Sequence, residues 1–347
     1  MKNYKGALIG CGFFSVNHLH AWKDVRGARI SAICDTDPER LETIGDQFGI
    51  EHRFETADEL FAADQYDFVD IATAVQSHHS LVTLAASKYT PVICQKPFAT
   101  NLTEAKDMVQ SCELAGVPLM VHENFRWQSP IQAVRAVIDS GEIGAPFWGR
   151  FSFRSAYDVF SGQPYLAEGE RFIIEDLGIH TLDIARFILG DVSSLTARTN
   201  RINPSIKGED VATLLLDHKS GAHSIVDCSY ATRLSEETFP QTLIEVDGEK
   251  GSIRLNAGYQ LVITTQTTTR RVDVSPQLLA WASKPWHNIQ ESVLAIQQHW
   301  VDSLSNNVVS QTSGQDNLFT LALVEAAYES ANSHRRVRLS ELMNRPK

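Results

Sequence analysis

A chain of 347 residues is long enough for two domains, each with a core of its own. Its net charge of -11 and lack of a basic stripe argue against a nucleic-acid partner. No apolar run reaches the ~20 residues of a membrane helix, and the run Ala7–Gly10 is too short for a signal-peptide core.

The five cysteines (11, 34, 94, 112 and 228) are scattered, with no CxxC pair, which points to a reducing cytoplasm. From the N-terminus, short apolar runs alternate with helix-period segments. Strands are expected at Gly6–Ile9, Ala28–Cys34, Phe68–Ala72, Pro91–Cys94 and Val117–Val121. Helices are expected at Pro38–Phe48, Ser80–Ser87 and Thr103–Ala115. Such alternation predicts an α/β Rossmann domain, a doubly wound parallel sheet, over residues 1–123.

The turn after the first strand is Gly10-Cys11-Gly12-Phe13-Phe14-Ser15. It carries the first two glycines of G-x-G-x-x-G, with a small serine in third place. Gly10, Gly12, Phe13 and Phe14 are therefore expected at a dinucleotide pyrophosphate. Asp35 closes the second strand 23 residues after Gly12, near the spacing of an acid that hydrogen-bonds the adenosine ribose. A carboxylate there repels a 2′-phosphate, so NAD is favoured over NADP. Arg40 is the nearby residue able to accommodate that phosphate. A bland reading of Asp35 is a turn or cap in Asp35-Thr36-Asp37-Pro38.

Gln95-Lys96-Pro97 follows the fourth strand, on the side where doubly wound sheets bind ligands. Lys96 there is able to stabilise a developing alkoxide. Glu123-Asn124-Phe125-Arg126-Trp127 follows the fifth strand; Asn124 and Arg126 are candidates for cofactor or substrate contacts.

Beyond residue 145 the period changes to two. Phe147–Phe153 alternates, as do parts of 211–216, 222–230 and 259–263, and Gly248–Gly251 reads as a turn between strands. Amphipathic helices at Ile289–Leu304 and Asn317–Ser333 end a second, α+β domain over 124–347. The main exception is a helix carrying Asp176, His180 and Asp183 at i, i+4 and i+7, one face of a helix. Ile179, Leu182, Ile184, Phe187 and Ile188 are its expected apolar stripe, and Gly178 leaves room for a ligand. Arg154, Tyr157, Trp286, His287 and Asn288 are possible lining residues for a polar, polyhydroxylated substrate, and could equally be packing. His18, His20, His78, His79, Asp176 and His180 invite a metal-hydrolase reading. Without an H-E-x-x-H or a clustered ligand set, no metal site is expected.

Together, the glycine turn, the acid after the second strand, Lys96-Pro97 and Asp176-x-x-x-His180 resemble the Gfo/Idh/MocA oxidoreductases. The resemblance implies a Rossmann domain followed by a large open, mostly antiparallel sheet. It implies that the two late helices pack back on the first domain, and that the protein forms homodimers or homotetramers. Ala72–His78 is similar to the family's T-P-x-x-x-H run bordering the nicotinamide, which assigns Thr73, Gln76 and His78 to the cofactor. Asp139–Gly144 looks like the linker turn, and Leu323–Ala331 like the last helix. Two departures stand out: Gln95 replaces the glutamate of E-K-P, and Ala74 replaces a proline.

The family's catalytic set falls on Lys96, Asp176 and His180, with His180 as general base. Asp183 is left between a substrate-side role and a plain surface acid. The Glu123–Trp127 run, with Trp286-His287-Asn288, resembles sugar dehydrogenases that oxidise the anomeric hydroxyl of a free pentose to a lactone. Competing implications are an inositol or other polyol dehydrogenase, a glycosidase using NAD transiently, and a non-catalytic NAD-binding regulator. The last discards catalytic residues that this chain keeps.

Overall fold

A computed structural model describes residues 2–345. The chain forms two compact units. One holds the residues up to Asn124 with Val293–Leu318; the other holds Phe125–Ser292 with the residues from Phe319 onward.

The first unit runs β1 (Tyr4–Ile9), α1 (Ser15–Asp24), β2 (Ala28–Cys34), α2 (Pro38–Phe48), β3 (His52–Phe54), α3 (Ala57–Ala63), β4 (Phe68–Ile71), α4 (His78–Ser87), β5 (Val92–Gln95), α5 (Leu102–Ala115) and β6 (Leu119–His122). Its six strands are parallel in the order β3-β2-β1-β4-β5-β6. The order reverses between β1 and β4, which opens a crevice at their carboxyl ends. Leu8, Ile33, Val69 and Ile93 are fully buried, as expected of strands covered on both faces.

Local chemistry sets the helix ends. Asp37 accepts the amides of Glu39 and Arg40 ahead of Pro38, and Gly49 closes α2 in the left-handed conformation. Thr56 and Glu59 form a capping box on α3. β3 and α3 were not expected. A three-residue edge strand and a seven-residue helix are too short to show a period.

The second unit begins with α6 (Ser129–Asp139), which ends in the Gly141 and Gly144 turn. It continues through β7 (Pro146–Arg154), α7 (Ile179–Leu189), β8 (Val192–Asn200), β9 (Val211–His218), β10 (His223–Ser229), β11 (Leu243–Gly248), β12 (Gly251–Asn256), β13 (Gln260–Thr265) and β14 (Thr269–Asp273). Then come α8 (His287–Asn306) and α9 (Gly314–Ser333), which span both units, and finally β15 (Val337–Arg338) and α10 (Leu339–Met343). The nine strands run β14-β13-β12-β11-β7-β10-β9-β8-β15, and all neighbours are antiparallel except β7 and β10.

α7 packs on β7 and β10. Gly149 permits the approach, since a Cβ there would lie 2.9 Å from Leu189 Cδ1. Phe151, Phe153, Leu214 and Val226 face this side and are buried. Leu215, Ile225, Arg150, Glu245 and Arg254 form one register row on the opposite face and are half-exposed or exposed. No described helix is long and apolar enough to cross a membrane.

Two expectations for the helical run need correction. It is not a striped α-helix: α7 is buried on nearly all sides, including His180, Thr181, Asp183 and Arg186, whereas Phe187 is only half-buried. Its start, Ile174–Gly178, is a turn of π-helix, so Asp176 and His180 are not separated by a regular α-helical turn.

Candidate functional site

In the first unit the site is built from backbone. Gly10 has φ +104°, and a Cβ there would meet the Ala72 carbonyl oxygen at 2.7 Å. A Cβ at Gly12 would meet nothing within 4 Å, so that face of the turn is open for close approach. Ser15 is buried and donates its hydroxyl to Gly12 O at 2.6 Å, which explains how a serine fits the third position. The N-terminus of α1 has no side-chain cap, leaving its dipole to an anion. Phe13 is 60% exposed, whereas Phe14 sets its ring edge-on to His18.

Asp35 Oδ2 accepts the Cys11 amide at 2.6 Å and Oδ1 accepts the Asp37 amide at 2.9 Å. The carboxylate therefore ties the end of β2 to the glycine turn. With about four acceptor positions on a carboxylate, it keeps capacity for a ribose hydroxyl. Arg40 is exposed and pairs with Asp37. Turn, helix end and acid fit a dinucleotide.

At the neighbouring strand ends, Lys96 is half-buried after β5, and the Lys96–Pro97 peptide is cis. Gln95 is buried, and its Oε1 has no hydrogen-bond partner among the described residues. Asn124 is buried after β6; Gln76 is exposed. Thr73 accepts the Ser77 hydroxyl at 2.7 Å. His78, expected at the cofactor, is fully buried instead. Its Nε2 lies 3.1 Å from Thr73 O and its Nδ1 3.0 Å from Pro97 O, so it pins the Thr73 loop to the Lys96-Pro97 loop. Burial holds its pKa below the usual histidine value, against the pull of those carbonyls.

Below this lies a cluster that sequence reasoning missed. Asp70 Oδ2 accepts both the Trp22 indole N–H and His18 Nδ1 at 2.7 Å, and the His18 ring stacks on His122 at 4.1 Å. A polar residue inside an apolar strand was the only available signal. His20 sits edge-on to Phe48. No metal-competent cluster of histidine, cysteine and acidic residues exists among the described residues.

In the second unit the site is built from side chains. His180 is 4% exposed, and its ring lies flat on Phe125 with centroids 3.8 Å apart and planes 3° apart. Asp176 is half-buried on the π-turn. Tyr230 stands near it: desolvation first, then the Asp176 charge, pushes its hydroxyl well above the usual range.

Asp183 is not a surface acid. It is fully buried and accepts Arg126 Nε at 2.7 Å, Arg126 Nη2, and the Thr320 hydroxyl at 3.1 Å. Arg126, expected to reach cofactor or sugar, places its guanidinium on Asp183. Gly178 offers no ligand space, since a Cβ there would already be 3.3 Å from Ile173 O.

Tyr157 stacks on Phe239 at 4.0 Å, and Trp286 sets its edge against both rings. His287 is buried, with Nδ1 3.1 Å from Pro285 O, and Asn288 donates to Gln128 Oε1 at 3.0 Å. Trp127 is half-buried. Arg154 is not a lining residue: with Arg150 it binds Asp227 on the open sheet face. Those cations hold the Asp227 carboxyl below its usual range despite burial.

An open glycine turn with its acid, in a chain whose second unit carries a buried histidine and a half-buried acid on one helical run, fits a dinucleotide-dependent oxidoreductase. A profile described as an oxidoreductase family with an NAD-binding Rossmann fold matches residues 4–123, and a GFO/IDH/MocA C-terminal domain matches residues 131–254. The chain belongs to the Gfo/Idh/MocA family. Over 99% of its length it is 68% identical to D-apiose dehydrogenase of Rhizobium rhizogenes, matching 99% of that protein. It is 61% identical to D-apiose dehydrogenase of Paraburkholderia graminis, covering 99% of this chain and 91% of the other. The crystal structure of an oxidoreductase from Agrobacterium radiobacter, in complex with NAD+, L-tartaric acid and magnesium, superposes with a TM-score of 0.97. That protein is 69% identical, over 97% of this chain and 99% of the other.

Proposed function

We propose that the protein oxidises the anomeric hydroxyl of a free aldose, D-apiose, to a lactone with NAD. The observation that carries this is near-full-length identity of 68% and 61% to two D-apiose dehydrogenases. The retained Lys96, Asp176 and His180 support it.

Bound NAD supplies the hydride acceptor, and Gly10, Gly12, the α1 N-terminus and Asp35 would hold it. His180 takes the hydroxyl proton as the carbon loses its hydride. Stacking on Phe125 fixes the plane of the imidazole, so the proton acceptor does not swing. Asp176 orients substrate or histidine and stabilises the imidazolium. Lys96 stabilises the developing alkoxide. Acid–base catalysis of this kind supplies about 10²–10⁴-fold; holding the reacting carbon in place supplies much of the remainder.

NAD is preferred over NADP because the Asp35 charge repels a 2′-phosphate. The five buried, unpaired cysteines support a reducing cytoplasm. The half-exposed row Leu215, Ile225, Arg150, Glu245 and Arg254 supports a homodimer or homotetramer built on the open sheet face.

A panel of D-apiose, other aldoses, inositols and sugar acids, each with NAD and NADP and read at the NADH absorbance, tests the reading. Turnover of D-apiose with NAD is expected. Preference for an inositol, or no net NADH from any aldose, would overturn it.

A further inference from the structure

The π-turn hangs from one residue of a distant loop. Phe172 N and Ile174 N donate to the Glu209 carboxylate at 3.4 and 3.1 Å, and Ile173 N donates to the Glu209 carbonyl at 3.1 Å. Three successive amides at the start of a helical run are thus met by Glu209, which precedes β9. A helix start leaves such amides unpaired, and a carboxylate also suits its dipole. Gly208 lets the loop sit this close, since a Cβ there would be 2.8 Å from Phe172 Cβ.

Glu209 is itself held. The Tyr328 hydroxyl, from α9, donates to the same Oε1 at 2.7 Å. The Arg171 guanidinium lies 3.9 Å over the Tyr328 ring and pairs with Glu325 and Glu175. A cavity of about 430 Å³ opens on this group, lined by Glu209, Tyr328, Arg171 and Glu325.

From here the connection to the chemistry is short. Ile174 gives its N–H to Glu209 and its carbonyl to the amide of Ile179, the residue before His180. Phe172 gives its N–H to Glu209 and its carbonyl to the amide of Asp176 at 2.8 Å. Asp176 is therefore one hydrogen-bonded residue away from Glu209, through Phe172, and His180 two, through Ile174 and Ile179. We infer that Glu209, locked by Tyr328, is a positioning residue that sets the π-turn and with it Asp176 and His180. The inference rests on those two being the catalytic pair.

The test compares Glu209→Ala, Glu209→Gln and Tyr328→Phe with the wild type. It reads kcat, KM for NAD, the isotope effect with D-apiose deuterated at the anomeric carbon, and amide exchange over residues 172–179. Glu209→Ala is expected to lower kcat about 10- to 100-fold through misplacement, to raise the isotope effect, and to leave KM for NAD within about twofold. Glu209→Gln, which still accepts a hydrogen bond, should recover most of kcat. Tyr328→Phe should lie between the glutamine variant and the wild type.

Faster exchange at 172–174 with kcat and isotope effect unchanged would overturn the inference, because Glu209 would then serve stability alone. If Glu209→Ala does not fold, Glu209→Asp, which withdraws the carboxylate from the amides by one methylene, takes its place; a lowered kcat with a raised isotope effect is expected there, and an unchanged kcat and isotope effect overturns the inference equally. Failure of the underlying reading looks different: His180→Ala would turn over normally, or the wild type would leave every aldose untouched. Unaltered exchange at 172–174 in Glu209→Ala, or in Glu209→Asp where the alanine variant does not fold, would remove the clamp in either case.

Discussion

The dinucleotide cradle and the proposed catalytic run are built from different materials. In the cradle, function is carried by what is missing: a Cβ at Gly10, a Cβ at Gly12 and a cap on α1. Its anchors join neighbouring strand ends: the Asp35 carboxylate accepts the Cys11 amide, and Gly10 N donates to Cys34 O. In the catalytic run, function is carried by what is present. His180 needs Phe125 beneath it, Asp183 needs Arg126, and the π-turn needs Glu209. Cradle mutations should therefore act through cofactor affinity, and run mutations through chemistry or stability.

The largest effect belongs to the run. His180→Ala removes the proton acceptor, and kcat should fall about 10²–10⁴-fold with NAD affinity retained. Lys96→Ala should also lower kcat severely. Steady-state kinetics and calorimetric NAD titration check both. If either variant turns over at the wild-type rate, its assigned role is wrong. A parallel loss of NAD binding in His180→Ala would break the contrast drawn between the two regions.

Next comes the buried acid of the same helix that pairs with Arg126. Asp183→Ala leaves Arg126 buried without its carboxylate. Breaking a buried pair from one side costs about 3–5 kcal/mol. The expected result is a marked fall in the thermal midpoint, and the double variant Arg126→Met/Asp183→Leu should regain part of it. Asp176→Asn, on the half-buried π-turn, should do the reverse and lose activity with little change in midpoint. Equal stability losses in Asp183→Ala and Asp176→Asn would show that the two acids are not distinguished as their burial says.

The same contrast explains what was legible in the sequence. The cradle could be read because its signals are local: an apolar run, two glycines and an acid at a set distance. β2 and α2 fall where the periodicity puts them. The run could be read only as a pattern of residue types. Asp176, His180 and Asp183 share a spacing, yet their roles are set by partners far away in the chain. Arg126 lies 57 residues from Asp183, and Glu209 lies 35 from Ile174. Periodicity has no access to such pairs, so a fully buried Asp183 and a surface one look alike in sequence. The burial of His78 was illegible for a related reason, because its three carbonyl partners come together only when the strand ends meet.

The smallest effect tests the charged residue of the cradle. Asp35 does two things at once, anchoring the turn through Cys11 and Asp37 and presenting a charge to the ribose edge. Asp35→Ala removes both and cannot separate them. Asp35→Asn keeps an oxygen for one of the two amides and removes the charge. If the charge selects NAD, the ratio of kcat/KM for NADP to that for NAD should rise about tenfold, equivalent to about 1.4 kcal/mol. Arg40, one turn into α2 and exposed, is then available to the 2′-phosphate, so Asp35→Asn/Arg40→Ala should give back part of the gain. An unchanged ratio with a lowered thermal midpoint would reduce Asp35 to an anchor of the turn. The cradle would then offer the dinucleotide backbone alone, and its contrast with the proposed catalytic run would be complete.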